Sequence, residues 1–201
     1  MAYFPFFVDI ENKDFLVVGG GIVALRKVQK LLPFKPKITV VSPKVVKELE
    51  DFEINIIHRE FAETDIENKF CVITATDNKS LNSQIYSLCK EKNILVNTVD
   101  DKEKCTFIFP ALAFNDGVTV GISTSGKSPL YAKYIKENIE KNIIDNSESI
   151  VESLSRCREK IKAEIPLESN RKSAFERLLD LLLNGEKLND DKVEKIIMDL
   201  K

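Results

Sequence analysis

The stretch DFLVVGGGIVALRK, residues 14–27, constrains the fold more than any other part of the chain. "FLVV" (15–18) reads as a buried strand. Ile22, Val23, Ala24, Val28, Leu31 and Leu32 then form an apolar stripe at helical spacing, which Pro33 ends. Three glycines lie between the two. Glycine weakens strands and helices alike, so three together mark a place where the backbone turns tightly and passes close to something. Gly19, Gly21 and Ala24 fit G-x-G-x-x-A. In that pattern the first position makes the turn, the second lets the backbone approach a pyrophosphate, and the third packs helix on strand. The following helix N-terminus offers free N–H groups and a partial positive charge to phosphates. Gly19, Gly20 and Gly21 are therefore candidate dinucleotide contacts, and the strand–turn–helix context favours that reading over a mere packing turn.

The same grammar continues. "ITVV" (38–41), "INII" (54–57), "CVITA" (71–75) and "ILVNT" (94–98) are strand-like, and residues 81–92 form a second helix with Ile85, Leu88 and Cys89 inward. Apolar strands alternating with helices predict an α/β, Rossmann-like parallel sheet covered on both faces. The leading "MAYFPFFVDI" is expected to be an edge strand or lead-in. It is too short and too soon acidic for a signal peptide or membrane span.

After residue 105 the pattern changes. "CTFIFPALAF" and "VTVGIST" predict two strands around a turn at "NDG" (115–117), and a helix starts near Pro129. From Asp145 the chain is densely charged. Ile150, Leu154, Cys157 and Ile161 make one helical stripe, and Phe175, Leu178, Leu179 and Leu182 make another. "NG" (184–185) stops that helix, and residues 188–200 form a last one. The expected organisation is a dinucleotide-binding domain over 1–106, a small α+β segment over 107–144, and a C-terminal helical module over 145–201.

A formal net charge of −2 gives no electrostatic reason to expect nucleic acid or an anionic membrane as partner. Cys71, Cys89, Cys105 and Cys157 include no CxxC and read as reduced thiols of a cytoplasmic protein. His58 is the single histidine, and no metal-ligand spacing surrounds it, so no metal site is expected.

In an open parallel sheet, ligands lie beyond the carboxyl ends of the strands. The second strand ends in Ser42, Pro43 and Lys44, where an acidic residue for the ribose hydroxyl is usual. A serine can serve that hydroxyl and a lysine can tolerate a 2′-phosphate, so NAD and NADP stay open on this ground. Thr76 and Asp77 after the fourth strand divide between cofactor contact and helix N-cap. Asp100 after the fifth is a candidate general base, against the plainer reading of a loop or cap aspartate, and Asp101 beside it shares the candidacy.

"GISTSGKS" (121–128) matches the phosphate-loop pattern of nucleotide hydrolases letter for letter. Pro129 follows at once and biases Ser128 away from helical geometry, whereas a true phosphate loop runs its Lys and Ser into a helix. No later parallel strands follow, so the match reads as coincidence. Lys127 in a Ser/Thr-rich helix start suits a carboxylate-rich ligand instead.

Taken together, "YFPFFVDIENKDFLVVGGGIVALRK", "ATDN", "VNTVDD", "FIFPAL" and "ISTSGKSPLYAK" resemble, in order and spacing, the precorrin-2 dehydrogenases, the dehydrogenase module of sirohaem synthase. The resemblance covers roughly residues 3–140. It implies a homodimer formed through residues 107–143, NAD as hydride acceptor, and oxidation of precorrin-2 to sirohydrochlorin. Insertion of Fe²⁺ or Co²⁺ is a further activity in some members. It implies Asp100 as the catalytic aspartate, and Ile22, Val23, Pro43 and Lys44 as cofactor-lining residues acting mostly through backbone. It places Ser123, Thr124, Ser125, Lys127 and Ser128 in the signature that contacts substrate. "VNTVDD" is followed here by "KEKC" where the family commonly has D-x-P. An NAD-sensing regulatory module without tetrapyrrole turnover is the alternative of another class.

Overall fold

Each apolar run of the first half becomes a strand, because each can bury both of its faces. A computed structural model describes residues 3–115 and 117–201, and the side chains of these except residues 144–146. Strands β1 (Asp14–Val18), β2 (Lys37–Val41), β3 (Asn55–Ile57), β4 (Cys71–Thr74) and β5 (Leu95–Thr98) form one sheet in the order β3-β2-β1-β4-β5. Every pairing in it is parallel. Odd-numbered β1 residues, Phe15 and Val17, pack with Ala24, Leu25 and Val28 of α1 (Ile22–Leu31). Even-numbered Leu16 and Val18 pack with Ile85 and Cys89 of α3 (Lys79–Glu91) on the other face. This two-sided burial is why the strands carry no polar alternation.

Local signals set the ends. Helix α1 stops at Leu31 and a 3-10 turn containing Pro33 follows. A short helix, α2 (Lys47–Glu50), precedes β3. Helix α3 starts two residues earlier than expected because Asn78 caps it, its Oδ1 accepting from the Ser80 and Leu81 N–H groups at 3.1 Å.

The chain divides into two compact units, Phe6–Phe109 and Pro110–Lys201 with the segment up to Pro5. In the second, β6 (Ala111–Phe114) and β7 (Thr119–Ile122) pair antiparallel. Asn115 Oδ1 accepts from the N–H groups of Gly117 and Val118, both at 2.9 Å, which closes the turn between them. Asp116 of the expected "NDG" turn lies outside the described residues. Helix α4 (Pro129–Ile139), a π-helical turn (Glu140–Ile144) and α5 (Asp145–Glu164) follow one another without a break. Residues 129–164 are thus helical across the point where the sequence reading separates central segment from tail. Pro166 follows the end of α5. Helices α6 (Glu168–Leu183) and α7 (Asp190–Leu200) bury Ala174, Leu178, Val193 and Ile197 against Ile161 and Ile165. The expected stop at 184–185 is real: Gly185 takes φ 80°, and the Glu186 N–H reaches back to the Leu181 carbonyl at 2.9 Å.

Two expectations need correcting. Residues 3–10 form no strand, so of the two readings only the lead-in holds: Ile10 packs against the core, while Phe4, Phe6 and Phe7 are exposed. Nothing in the sheet pairs with this segment, whose edges are β3 and β5. "CTFIFP" is also not a strand. Cys105 makes a single antiparallel bridge to Asn97, and regular pairing begins only at Ala111.

Leu178 is fully buried in the helical cluster. Leu178→Ala is expected to cost about 2–5 kcal/mol. A lower urea midpoint in circular dichroism checks this.

Candidate functional site

Three loops meet at the carboxyl edge of the sheet. Gly19 stands at φ +114°, and a Cβ there would run into the Ala75 carbonyl. A Cβ on Gly20 would run into the Lys44 carbonyl and come within 2.7 Å of Val45. These two glycines are required by the protein's own packing. The backbone joins the loops as well: Gly19 N–H donates to Val41 O at 3.0 Å and Val46 N–H to Gly20 O at 2.8 Å. Gly21 differs. Its φ is −85°, and a Cβ would meet nothing within 4 Å. It opens α1 with no side-chain cap and no acidic residue in the first turn, and Leu25 N–H is bonded back to the Gly21 carbonyl. The N–H groups ahead of Leu25 have no helical acceptor. Ile22 and Val23 lie exposed beside this open space, and Ala24 is buried beneath it. A donor-rich, positively polarised helix end behind an open glycine fits the pyrophosphate of a nicotinamide dinucleotide.

The flanking rims have structural duties. Ser42 is buried, and its Oγ donates to the Lys44 carbonyl at 2.7 Å, bracing the Ser-Pro-Lys turn. Its hydroxyl proton is therefore committed and only its lone pairs remain to a ligand. Pro43 and Lys44 are exposed. Neither Thr76 nor Asp77 caps α3, since Asn78 does. Thr76 Oγ1 instead pairs with Asn82 Oδ1 at 2.6 Å, while Asp77 is exposed.

At the end of β5 the two candidate aspartates part company. Asp101 Oδ2 accepts from Lys104 Nζ at 2.8 Å, a bond that lowers its carboxyl below the usual range. Asp100 is exposed, sits at φ 60°, and makes no hydrogen bond or ion pair with another described residue. A non-glycine residue at positive φ is uncommon, tolerated best by Asn and Asp, and clusters at working sites. Sequence reasoning missed what lies beside it. Lys27 of α1 donates to Asn97 Oδ1 at 3.4 Å and stands 4.1 Å from the centroid of Phe109. The available signal was a lysine three residues beyond Ala24, on the helix flank turned toward the sheet.

In the second unit, the loop 123–128 spends its polar groups on itself. Thr124 Oγ1 accepts from Ser128 N–H at 3.1 Å and donates to the Ser128 carbonyl at 3.0 Å. Ser123 Oγ accepts from Ser125 N–H, and the Thr124 carbonyl from Lys127 N–H, both at 3.0 Å. Ser128 Oγ caps α4. A phosphate loop needs such N–H groups turned outward, so these bonds argue against one here. Lys127 is exposed.

Other chemistry is sparse. Among the described residues no three of His, Cys, Asp and Glu gather as a metal site, and no helix is long and apolar enough to cross a membrane. Burial pushes Cys89 up to about 11 and Cys71 further still, which makes both inert thiols. A surface cleft of about 560 Å³ lies between Phe70 and Leu95, at the amino ends of β4 and β5. It is at the wrong edge of a parallel sheet for a cofactor.

The glycines separate by experiment. Gly19→Ala is expected to cost more than about 2 kcal/mol in stability, from a strained φ and a backbone collision. Gly21→Ala is expected to change stability by under about 1 kcal/mol yet weaken dinucleotide binding, read from NADH fluorescence.

Known proteins are similar to this chain along nearly all of its length. A family model for NAD(P) binding matches residues 6–111, and one described as sirohaem biosynthesis protein central matches residues 115–142. The siroheme synthase of Pseudoalteromonas translucida is 37% identical over 184 residues, covering 90% of this chain and 39% of its own. That of Ruthia magnifica is 32% identical over 205 residues, covering all of this chain and 43% of its own. The chain thus spans well under half of these curated relatives. A solved structure titled SirC, precorrin-2 dehydrogenase, matches with a TM-score of 0.73 and 26% identity, over 98% of both chains. The protein belongs to the NAD(P)-binding family whose model spans its first unit, with a sirohaem biosynthesis central segment following.

Proposed function

We propose that the protein is an NAD-dependent dehydrogenase that oxidises precorrin-2 to sirohydrochlorin, with Asp100 as the acid/base group. The observation that carries this reading is Asp100 itself, an exposed carboxylate with no hydrogen bond or ion pair among the described residues, held at φ 60° on the same carboxyl edge as the open Gly21 turn. The full-length likeness to a precorrin-2 dehydrogenase supports the substrate.

Two hydrogens leave precorrin-2, one as hydride and one as a proton. Bound nicotinamide supplies the hydride acceptor. Asp100 takes up the proton, and its exposure lets it pass that proton to water. Gly21 and the first turn of α1 hold the dinucleotide's phosphates, with Ile22 and Val23 beside them. Ser42, Pro43 and Lys44 form the ribose rim, and Thr76 and Asp77 border the path from β4. NAD is the assigned acceptor. The exposed Lys44 favours the second reading, NADP, since it could meet a 2′-phosphate. On the family resemblance alone, Ser123, Thr124, Ser125, Lys127 and Ser128 of the second unit are assigned to substrate; the hydroxyls of Ser123, Thr124 and Ser128 already bond within the loop, so the exposed Lys127 ammonium is the group that would meet a carboxylate.

Metal insertion into sirohydrochlorin, with Fe²⁺ or Co²⁺ as a further substrate, is assigned to the same carboxylate, which would take the two displaced pyrrole protons one at a time and release each to water. The siroheme synthase relatives support it. A homodimer formed through residues 107–143 is supported by Leu130, Tyr131 and Tyr134, which α4 leaves 79%, 57% and 59% exposed. The chemistry assigned here suits the cytoplasm.

The deciding assay follows reduction of NAD⁺, and separately NADP⁺, with fresh precorrin-2 under anaerobic conditions. Asp100→Asn keeps a residue that tolerates positive φ, so the variant tests the carboxylate and not the turn. A loss of about 10²-fold or more in kcat is expected. Binding of NADH without any tetrapyrrole turnover by the wild type would move the function to dinucleotide sensing. Tyr134→Asp is expected to shift the sedimentation coefficient from dimer to monomer.

A further inference from the structure

Lys27 lies in the second turn of α1, and helix side chains lean toward their own N-terminus. Its stem is half-buried and its Nζ reaches Asn97 on β5. Asn97 is itself fixed, its Nδ2 donating to the Phe107 carbonyl at 3.0 Å, so its Oδ1 is left for the lysine. Phe109 packs beneath, tilted against Phe107 with ring centroids 5.2 Å apart. Among the described residues, one neutral acceptor at 3.4 Å and one ring face are thus the partners of a group with three N–H donors. The charged or titratable groups that face it are Lys30 on its own helix and Asp100 and Cys105 from the turn after β5. Burial, with Lys30 adding to it, lowers Lys27 to about 8, and Cys105 and Asp100 oppose that shift.

We propose that Lys27 binds a carboxylate of the substrate, its ammonium being aimed by Asn97 Oδ1 and the Phe109 ring. This rests on the dehydrogenase reading above, whose tetrapyrrole carries carboxylates on its rim. The dinucleotide is the other possible source of anionic oxygen. Position favours the substrate, because α1 presents its N-terminus at β1, whereas Asn97 is on β5 with β4 between. An under-bonded ammonium beside an acid/base aspartate gives the site one cationic and one anionic group, which orients a polycarboxylate ring over the edge.

The test is equilibrium binding of sirohydrochlorin, by its absorbance and without nucleotide, between pH 7 and 9, with NADH binding measured in parallel. The ligand's carboxylates stay ionised throughout, and burial holds the Cys105 thiol above its ordinary value. Lys27 loses its proton across this window, so wild-type affinity is expected to fall several-fold as pH rises. Lys27→Met should bind about tenfold more weakly at pH 7 and lose that pH step. Lys27→Arg should keep the pH 7 affinity and also lose the step, since a guanidinium stays charged. Unchanged NADH binding shows that the variants are folded. Sirohydrochlorin binding that survives Lys27→Met, or a loss confined to NADH, overturns the assignment and leaves the dehydrogenase standing. A wild type that neither binds sirohydrochlorin nor oxidises precorrin-2 overturns both.

Discussion

The first unit depends on three loops crossing at van der Waals distance without side chains in the way. Gly19 lies against the Ala75 backbone and Gly20 against Lys44 and Val45, so the turns after β1, β2 and β4 lock together at one point. Backbone hydrogen bonds from Gly19 to Val41 and from Val46 to Gly20 reinforce the crossing. With two glycines spent on this junction, the third is free to face outward. The α1 N-terminus is then set at a fixed height above the sheet edge, which is what turns a helix end into an anion site.

The electrostatics of that edge follow from the same framework. The uncapped start of α1 carries partial positive charge at β1. Asp100 places a carboxylate beyond β5, and the Lys27 amine, bonded to Asn97, interacts with it electrostatically. Asp101 is ion-paired with Lys104 at 2.8 Å. The sheet order, with β4 between β1 and β5, sets the open Gly21 turn apart from Asp100, so the proposed phosphate and proton roles fall on different strands. Such a separation suits a reaction in which one ligand takes a hydride and a side chain takes a proton.

The helical tail holds itself together. Ile161, Ile165, Ala174, Leu178, Val193 and Ile197 form a cluster drawn from α5, the residue that follows it, α6 and α7. Its surface ion pairs, such as Lys160 with Glu194 at 2.7 Å and Lys201 with Glu164 at 2.6 Å, are exposed and contribute little beside that apolar burial. The dense charge of the tail is a solvated face around a small core.

Much of this was legible before any coordinates. Strands buried on both faces must be apolar throughout, and helices with one buried face must repeat near 3.6 residues, so the β/α alternation, the glycine turn and the tail helices could be read directly. The leading segment and "CTFIFP" misled for one reason: strand-like composition forms a strand only where a partner offers hydrogen bonds. The site was legible as a list but not as a division of labour. Gly19, Gly20, Gly21, Ser42, Asp100 and Asp101 were all among the residues that the sequence named. Tertiary structure decided that two glycines serve packing while the third faces open space, that Asp101 is paired with Lys104 while Asp100 has no hydrogen bond or ion pair among the described residues, and that the Ser42 hydroxyl is committed. It also brought in Lys27, 70 residues from its partner Asn97. Local patterning is written in neighbouring residues and survives in one dimension. Which polar group is already satisfied depends on contacts between distant segments, and only the folded chain brings those together.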